Sequence, residues 1–114
     1  MAPSTNLFIE QGSDFTRTIT LEQKIGENIV PLDLTGFTAE AKLKKSYYSQ
    51  TSVDFTVNIV DPINGKLTIA LPSADTTALK PGRYVYDIVI ISAGLLRDRV
   101  LEGTVVVTPG VTLP

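Results

Sequence analysis

The stretch Leu79-Lys80-Pro81-Gly82-Arg83-Tyr84-Val85-Tyr86-Asp87 constrains the fold of this chain more than any other. Proline fixes its own φ and glycine takes backbone conformations closed to other residues, so the Pro-Gly pair forces a corner. Two tyrosines at period 2 then enter a long apolar run. Alternate residues of a strand share a face, which puts Tyr84 and Tyr86 on one side of it. A tyrosine just after a corner, two residues before a core position and with its hydroxyl bonded to backbone upstream, is a corner device of β-sandwiches. The feature speaks to architecture and carries no chemistry.

Strand-like alternation continues through most of the sequence. Phe15, Ile19 and Leu21 oppose Thr16, Thr18 and Thr20, with Arg17 the misfit on the inward row. Ala39, Ala41 and Leu43 alternate with Thr38, Glu40, Lys42 and Lys44, and Phe55, Val57 and Ile59 alternate with Asp54, Thr56 and Asn58. Asn64-Gly65 supplies the left-handed conformations of a tight turn, so the Leu67, Ile69, Leu71 strand is expected to pair with the one before it. Residues 73–79 predict one or two helical turns capped by Ser73. The final hairpin is expected over 83–92 and 95–107, turning at Ala93-Gly94 and stopped by Pro109. Ile25-Gly26-Glu27-Asn28 predicts a turn, and Asp33 in Pro31-Leu32-Asp33-Leu34-Thr35-Gly36 is expected to bond a backbone amide two residues on. With further strands near 7–10, 14–22, 29–34, 37–44, 54–60 and 66–71, the pattern predicts an all-β fold: an antiparallel two-sheet immunoglobulin-like β-sandwich of about seven to eight strands. It is expected as one domain over 1–114, with a short N-terminal arm 1–6 and a C-terminal tail 109–114.

Composition removes whole classes of function. The chain has neither histidine nor cysteine, which takes away the commonest acid-base, nucleophilic and zinc-binding side chains, and with them any disulfide. Asp14, Asp33, Asp54, Asp61, Asp87 and Asp98 are spread over turns and strand faces rather than paired, as a carboxylate hydrolase requires. Asp61 to Asn64 lacks the alternating oxygen ligands and distal glutamate of a calcium loop. No catalytic residue, cofactor, metal or small-molecule substrate is expected. Lys42, Lys44 and Lys45 are the only basic cluster in a chain of net charge −2, too little for a nucleic-acid binder. The N-terminus has no signal-peptide pattern, and no apolar run reaches transmembrane length, so no membrane partner is expected.

What remains is protein contact. Tyr47 and Tyr48 are adjacent in a polar loop over 45–52 and cannot both enter the core from one strand, so at least one is expected at the surface, against a protein, a glycan or the sandwich edge. Both faces of 84–91 and 103–107 are apolar, whereas a sheet with one wet face alternates. A cover is expected, from Leu7, Phe8 and Ile9, from Val111 and Leu113, or from a neighbouring subunit, which is favoured. The candidate partner contacts are Tyr47, Tyr48, Val89, Ile91 and Val106. Asp87 and the Arg97-Asp98-Arg99 triplet are expected to pair across the hairpin.

In order, Glu10-Gln11-Gly12-Ser13-Asp14-Phe15, Pro31 to Gly36, Asn64-Gly65-Lys66-Leu67, Thr76 with Leu79, Pro81 to Asp87, and Glu102-Gly103-Thr104-Val105 form a series whose order and spacing resemble the immunoglobulin-like structural domains of tailed-bacteriophage virions. The similar domains are of the tail and baseplate type, including the N-terminal domain of the phage baseplate upper protein. The resemblance implies a non-enzymatic component of a virion, assembled in the host cytoplasm, at tail, baseplate or capsid. Its implied partners are other virion structural proteins, with self-association among the options. The alternative is an adhesive module that binds a host glycan or surface protein through its loops.

Overall fold

The alternating rows become ten strands and one short helix in a computed structural model that describes residues 4–112. In chain order they are β1 (Leu7–Glu10), β2 (Phe15–Thr20), β3 (Glu22–Ile25), β4 (Asn28–Pro31), β5 (Thr38–Lys44), β6 (Val53–Asp54), β7 (Thr56–Asp61), β8 (Lys66–Leu71), α1 (Ser73–Ala78), β9 (Gly82–Ile91) and β10 (Arg97–Thr108). One sheet has the order β1-β10-β9-β5-β6, a second β2-β8-β7, and β3-β4 form a separate hairpin. Pairing is antiparallel throughout except for β1, which lies parallel to β10 with Leu7 opposite Val105. The inward rows of the two larger sheets fill one core: Leu7, Ile9, Leu43, Tyr86, Ile88 and Val105 from the first meet Ile19, Leu67, Ile69 and Leu71 from the second. Phe55 stands where the chain leaves one sheet for the other, its ring against Phe15 and Tyr86.

The structure yields more strands than the expected seven to eight because two segments divide. The strand expected over 14–22 stops at Thr20, since the Leu21 amide donates to the Gly65 carbonyl and the Leu21 carbonyl accepts from the Leu32 amide, which pins the base of the β3-β4 hairpin to the β7-β8 turn. Gly65 sits at φ +68, and a Cβ added there would run into the Leu21 carbonyl oxygen and the Leu32 backbone, so no side chain fits. The second division follows the 45–52 loop, where β6 stays with the first sheet and β7 joins the second.

Ser73 does not cap α1 as expected: no side-chain cap is present, and the Pro72 carbonyl accepts from the Asp75 and Thr76 amides. The Asp14 carboxylate, 59 residues away in sequence, takes the Ser73 amide at 2.7 Å, satisfying one of the donors that every helix start leaves open. Buried Thr76 donates to the Ser13 carbonyl and accepts from the Gly12 amide. Gln11 completes this knot, donating to the Thr77 and Leu79 carbonyls and accepting from the Gly110 amide.

The tyrosine corner forms as expected, with the Tyr84 hydroxyl donating to the Lys80 carbonyl at 2.7 Å. Tyr86 donates to the Thr5 carbonyl at 2.6 Å, and burial raises its pKa to about 12, against the opposing charge of Arg17. The predicted arm 1–6 is therefore held from Ser4 onward: Ser4 bridges Glu102, the Thr5 amide donates to the Glu102 carbonyl, and Thr104 donates to Asn6. Arg17 does occupy an inward register position, opposite buried Ile69, but β2 is the sheet's edge and the side chain is exposed. An inward-pointing charge on an edge strand discourages a further strand from adding there. Asp33 bonds the Thr35 hydroxyl and amide as expected for its turn, and these two bonds hold its carboxyl below the ordinary value.

Candidate functional site

Strand polarity gives the molecule two ends. The carboxyl ends of β1, β5, β8 and β10 and the amino ends of β2, β7 and β9 lie together with the 45–52 loop and α1; the β3-β4 hairpin and the β7-β8 and β9-β10 turns lie at the other end. Between them runs the outer face of the five-stranded sheet.

That outer face carries three of the expected contact residues. Val89 and Ile91 on β9 and Val106 on β10 alternate with buried neighbours and are half-exposed. Val85 extends the row, and Phe8 of β1 lies opposite Val106 with its ring largely in solvent. Strand β1 thus does not cover this face. Leu7 and Ile9 turn into the core while Phe8 joins the outer surface, because parallel pairing makes β1 one more strand of the same sheet. Val111 is fully exposed, and Leu113 falls outside the described residues. Among the described residues no segment lies over Val89, Ile91 and Val106. Their partial cover comes from charged neighbours on the same face: Arg99 pairs with Asp87 at 3.2 Å and with Glu102, Lys42 pairs with Asp54, and Arg97 reaches Glu40 across the sheet. Of the Arg97-Asp98-Arg99 triplet, Arg99 makes the expected bond to Asp87.

Tyr47 and Tyr48 are both exposed, the second at 94%. The Ser49 amide donates to the Ser46 carbonyl, the Ser46 amide donates to the Ser49 hydroxyl, and the two hydroxyls lie 3.2 Å apart. This closed turn carries both rings at its apex. Beside it Lys45 places its ammonium 4.8 Å from the Tyr84 ring centre.

The opposite end carries surface that residue-by-residue reading passed over. Ile25 and Ile29 flank the tip of the β3-β4 hairpin, Ile63 lies in the β7-β8 turn, and Leu95 and Leu96 lie in the β9-β10 turn, all largely in solvent. Two signals could have found them: a Leu-Leu pair directly after Ala93-Gly94, and isoleucines on both sides of a Gly-containing turn. A cleft of about 960 Å³ opens at this end between residues 98–102 of β10 and residues 20–23, with Thr5 and Leu32 on its walls. Its titratable groups, Glu22, Asp98, Arg99 and Glu102, have no histidine or cysteine beside them. Among the described residues no three acidic side chains gather as a metal site. The chemistry on offer across these surfaces is recognition through apolar contact, aromatic rings and charge.

Comparison with known proteins gives three findings. The family model described as the BppU N-terminal domain matches residues 5–80, from just before β1 to just after α1. No curated protein matches. Among solved structures, an internalin-like protein of Listeria monocytogenes, lmo2027, superposes with TM-score 0.47 at 16% identity over 96% of this chain, and this chain spans 28% of that one.

Proposed function

The chain belongs to the BppU N-terminal domain family, a phage baseplate family, and from that premise we propose that it is a non-enzymatic structural subunit of the virion which works by packing against neighbouring virion proteins. The observation that carries the mechanism is the surface itself. Exposed aromatic and aliphatic side chains sit at both ends and along one sheet face, on loops and strands tied to a rigid core. Apolar surface exposed in this way marks protein contact. The strand orders β1-β10-β9-β5-β6 and β2-β8-β7, the parallel first strand and the corner tyrosine support reading the fold as an immunoglobulin-like sandwich.

The test is composition of the particle. Purified virions should contain the chain at a fixed stoichiometry, and cryo-electron microscopy should place it against other virion proteins. Particles that form, infect and lack the chain would defeat the proposal. The exposed Tyr47-Tyr48 turn also suits a sugar-stacking loop, and binding of the isolated chain on a glycan array would favour the adhesive reading.

A further inference from the structure

Ion pairing sorts the charges of this molecule. Every ion pair among the described residues lies on the outer face of the five-stranded sheet. The charges outside those pairs are distributed unevenly over the two ends, with Arg17 midway along β2. Lys44, Lys45, Lys80 and Arg83 stand together where β5 finishes and β9 begins, Lys44 being in register with Val85, and among the described residues none has a carboxylate within ion-pair distance. At the other end Glu22, Glu27, Asp33, Asp61 and Asp98 outnumber Lys24 and Lys66, and these too are without ion pairs among the described residues. Glu10, Asp14 and Asp75 share the basic corner's end of the molecule, but on β1, the β1-β2 turn and α1 rather than on the β5-β9 corner.

Apolar groups follow the same division. The basic corner carries Tyr47 and Tyr48, and the acidic end carries Ile25, Ile29, Ile63, Leu95 and Leu96. Leu95 is the most informative of them. It adopts φ +64, the one described non-glycine residue with positive φ, and its side chain is 80% exposed. The β9-β10 turn requires that conformation, which glycine or asparagine adopts at lower cost. Within its own chain Leu95 gains neither burial nor a relaxed backbone, so the benefit of a leucine here lies outside the chain.

We propose that the two ends bind each other between copies: the acidic, aliphatic end of one subunit seats on the basic, tyrosine-bearing corner of the next, in a head-to-tail file of identical chains. This rests on the structural role proposed above and names one of the partners. A second copy is the occupant because one chain supplies both signs of charge and both apolar halves. Unlike surfaces on one chain give a heterologous contact, which closes into a ring or extends as a filament according to the rotation between copies. Opposite charge steers the encounter and fixes its register, and the buried side chains supply the affinity.

Sedimentation of the purified chain tests this. The parent should associate beyond the dimer as concentration rises, and less so in high salt. A corner variant, Lys45→Glu with Tyr48→Ser, and an end variant, Leu95→Asn with Leu96→Ser, should each associate about tenfold or more weakly and sediment as monomers. Mixed at equal concentration they should form a dimer and nothing larger, since each retains the surface that the other has lost. Leu95→Asn alone should raise the melting temperature while weakening association, an outcome a purely structural leucine would not give. A parent that stays monomeric, a single-end variant that associates like the parent, or a mixture that remains monomeric overturns the head-to-tail contact. Particles that take up a chain altered at both ends in normal amount overturn it too, and leave the structural role standing.

Discussion

At the end that carries α1, hydrogen bonds tie three segments of the chain together, whereas the β3-β4 hairpin at the other end extends into solvent with Ile25 and Ile29 exposed. Gln11, Thr76 and Asp14 bond the β1-β2 turn, the helix and the start of the tail into one unit. The hairpin instead has every residue from Glu22 to Ile29 exposed and reaches the body mainly at its base, through Leu21, Leu32 and Gly65. An isolated two-stranded hairpin is marginally stable in water. The difference teaches where this fold places stability and where it places contact surface.

The strongest challenge to that contrast is Gly65→Ala, which strikes the one rigid joint of the open end. A methyl group there meets the Leu21 and Leu32 backbones at a positive φ, and the expected loss is about 3 kcal/mol or more in urea unfolding. A loss below about 1 kcal/mol would show that the hairpin base moves freely. Thr76→Val keeps the shape and leaves the Gly12 amide and Ser13 carbonyl without their partner, for an expected cost of about 2 kcal/mol by the same measurement. Tyr84→Phe removes only the bond to Lys80 and should cost about 1 kcal/mol. Ile29→Ser, at the hairpin tip, should change unfolding by less than about 0.5 kcal/mol; a larger loss would mean that the tip is part of the core's cooperative unit.

A pH titration sharpens the same comparison on the arm that runs beside β10. The pKa of Tyr86 is raised in the folded protein to about 12 from an ordinary 10.0, so its contribution is complete below pH 10 and lost as pH rises through that window. Thermal stability should therefore fall between those values, and Tyr86→Phe should flatten the fall at the expense of the bond to Thr5. An unchanged alkaline limb in the variant would assign the loss to other groups.

Much of this was legible from side-chain period. The strand expected over 66–71 has those bounds, the Tyr84 corner and the Asp33 turn form as read, and the inward rows of β5 and β8 are the residues that alternate. Period is a local property, and what escaped depends on distant partners. Asp14 caps a helix 59 residues away, displacing Ser73 from that role. The split after Thr20 follows from hydrogen bonds to Gly65 and Leu32. Of the candidate contacts, Tyr47 and Tyr48 are both at the surface because a two-serine turn holds them there, and the aliphatic end went unnoticed because Ile29 and Leu95 look like the first residues of buried strands.

The parallel pairing of β1 with β10 has a consequence for how the chain acquires this structure. Partners such as Asn6 and Thr104 are 98 residues apart, and closing a loop of that length costs about 4 kcal/mol of chain entropy before the contact returns anything. Topologies dominated by such distant pairs fold in milliseconds to seconds rather than microseconds. A nascent chain can assemble β7 with β8 early, yet Leu7 and Ile9 have no strand to lie beside until Val105 to Thr108 have left the ribosome. Of the ten described strands, the last to be made is thus the one that buries the first.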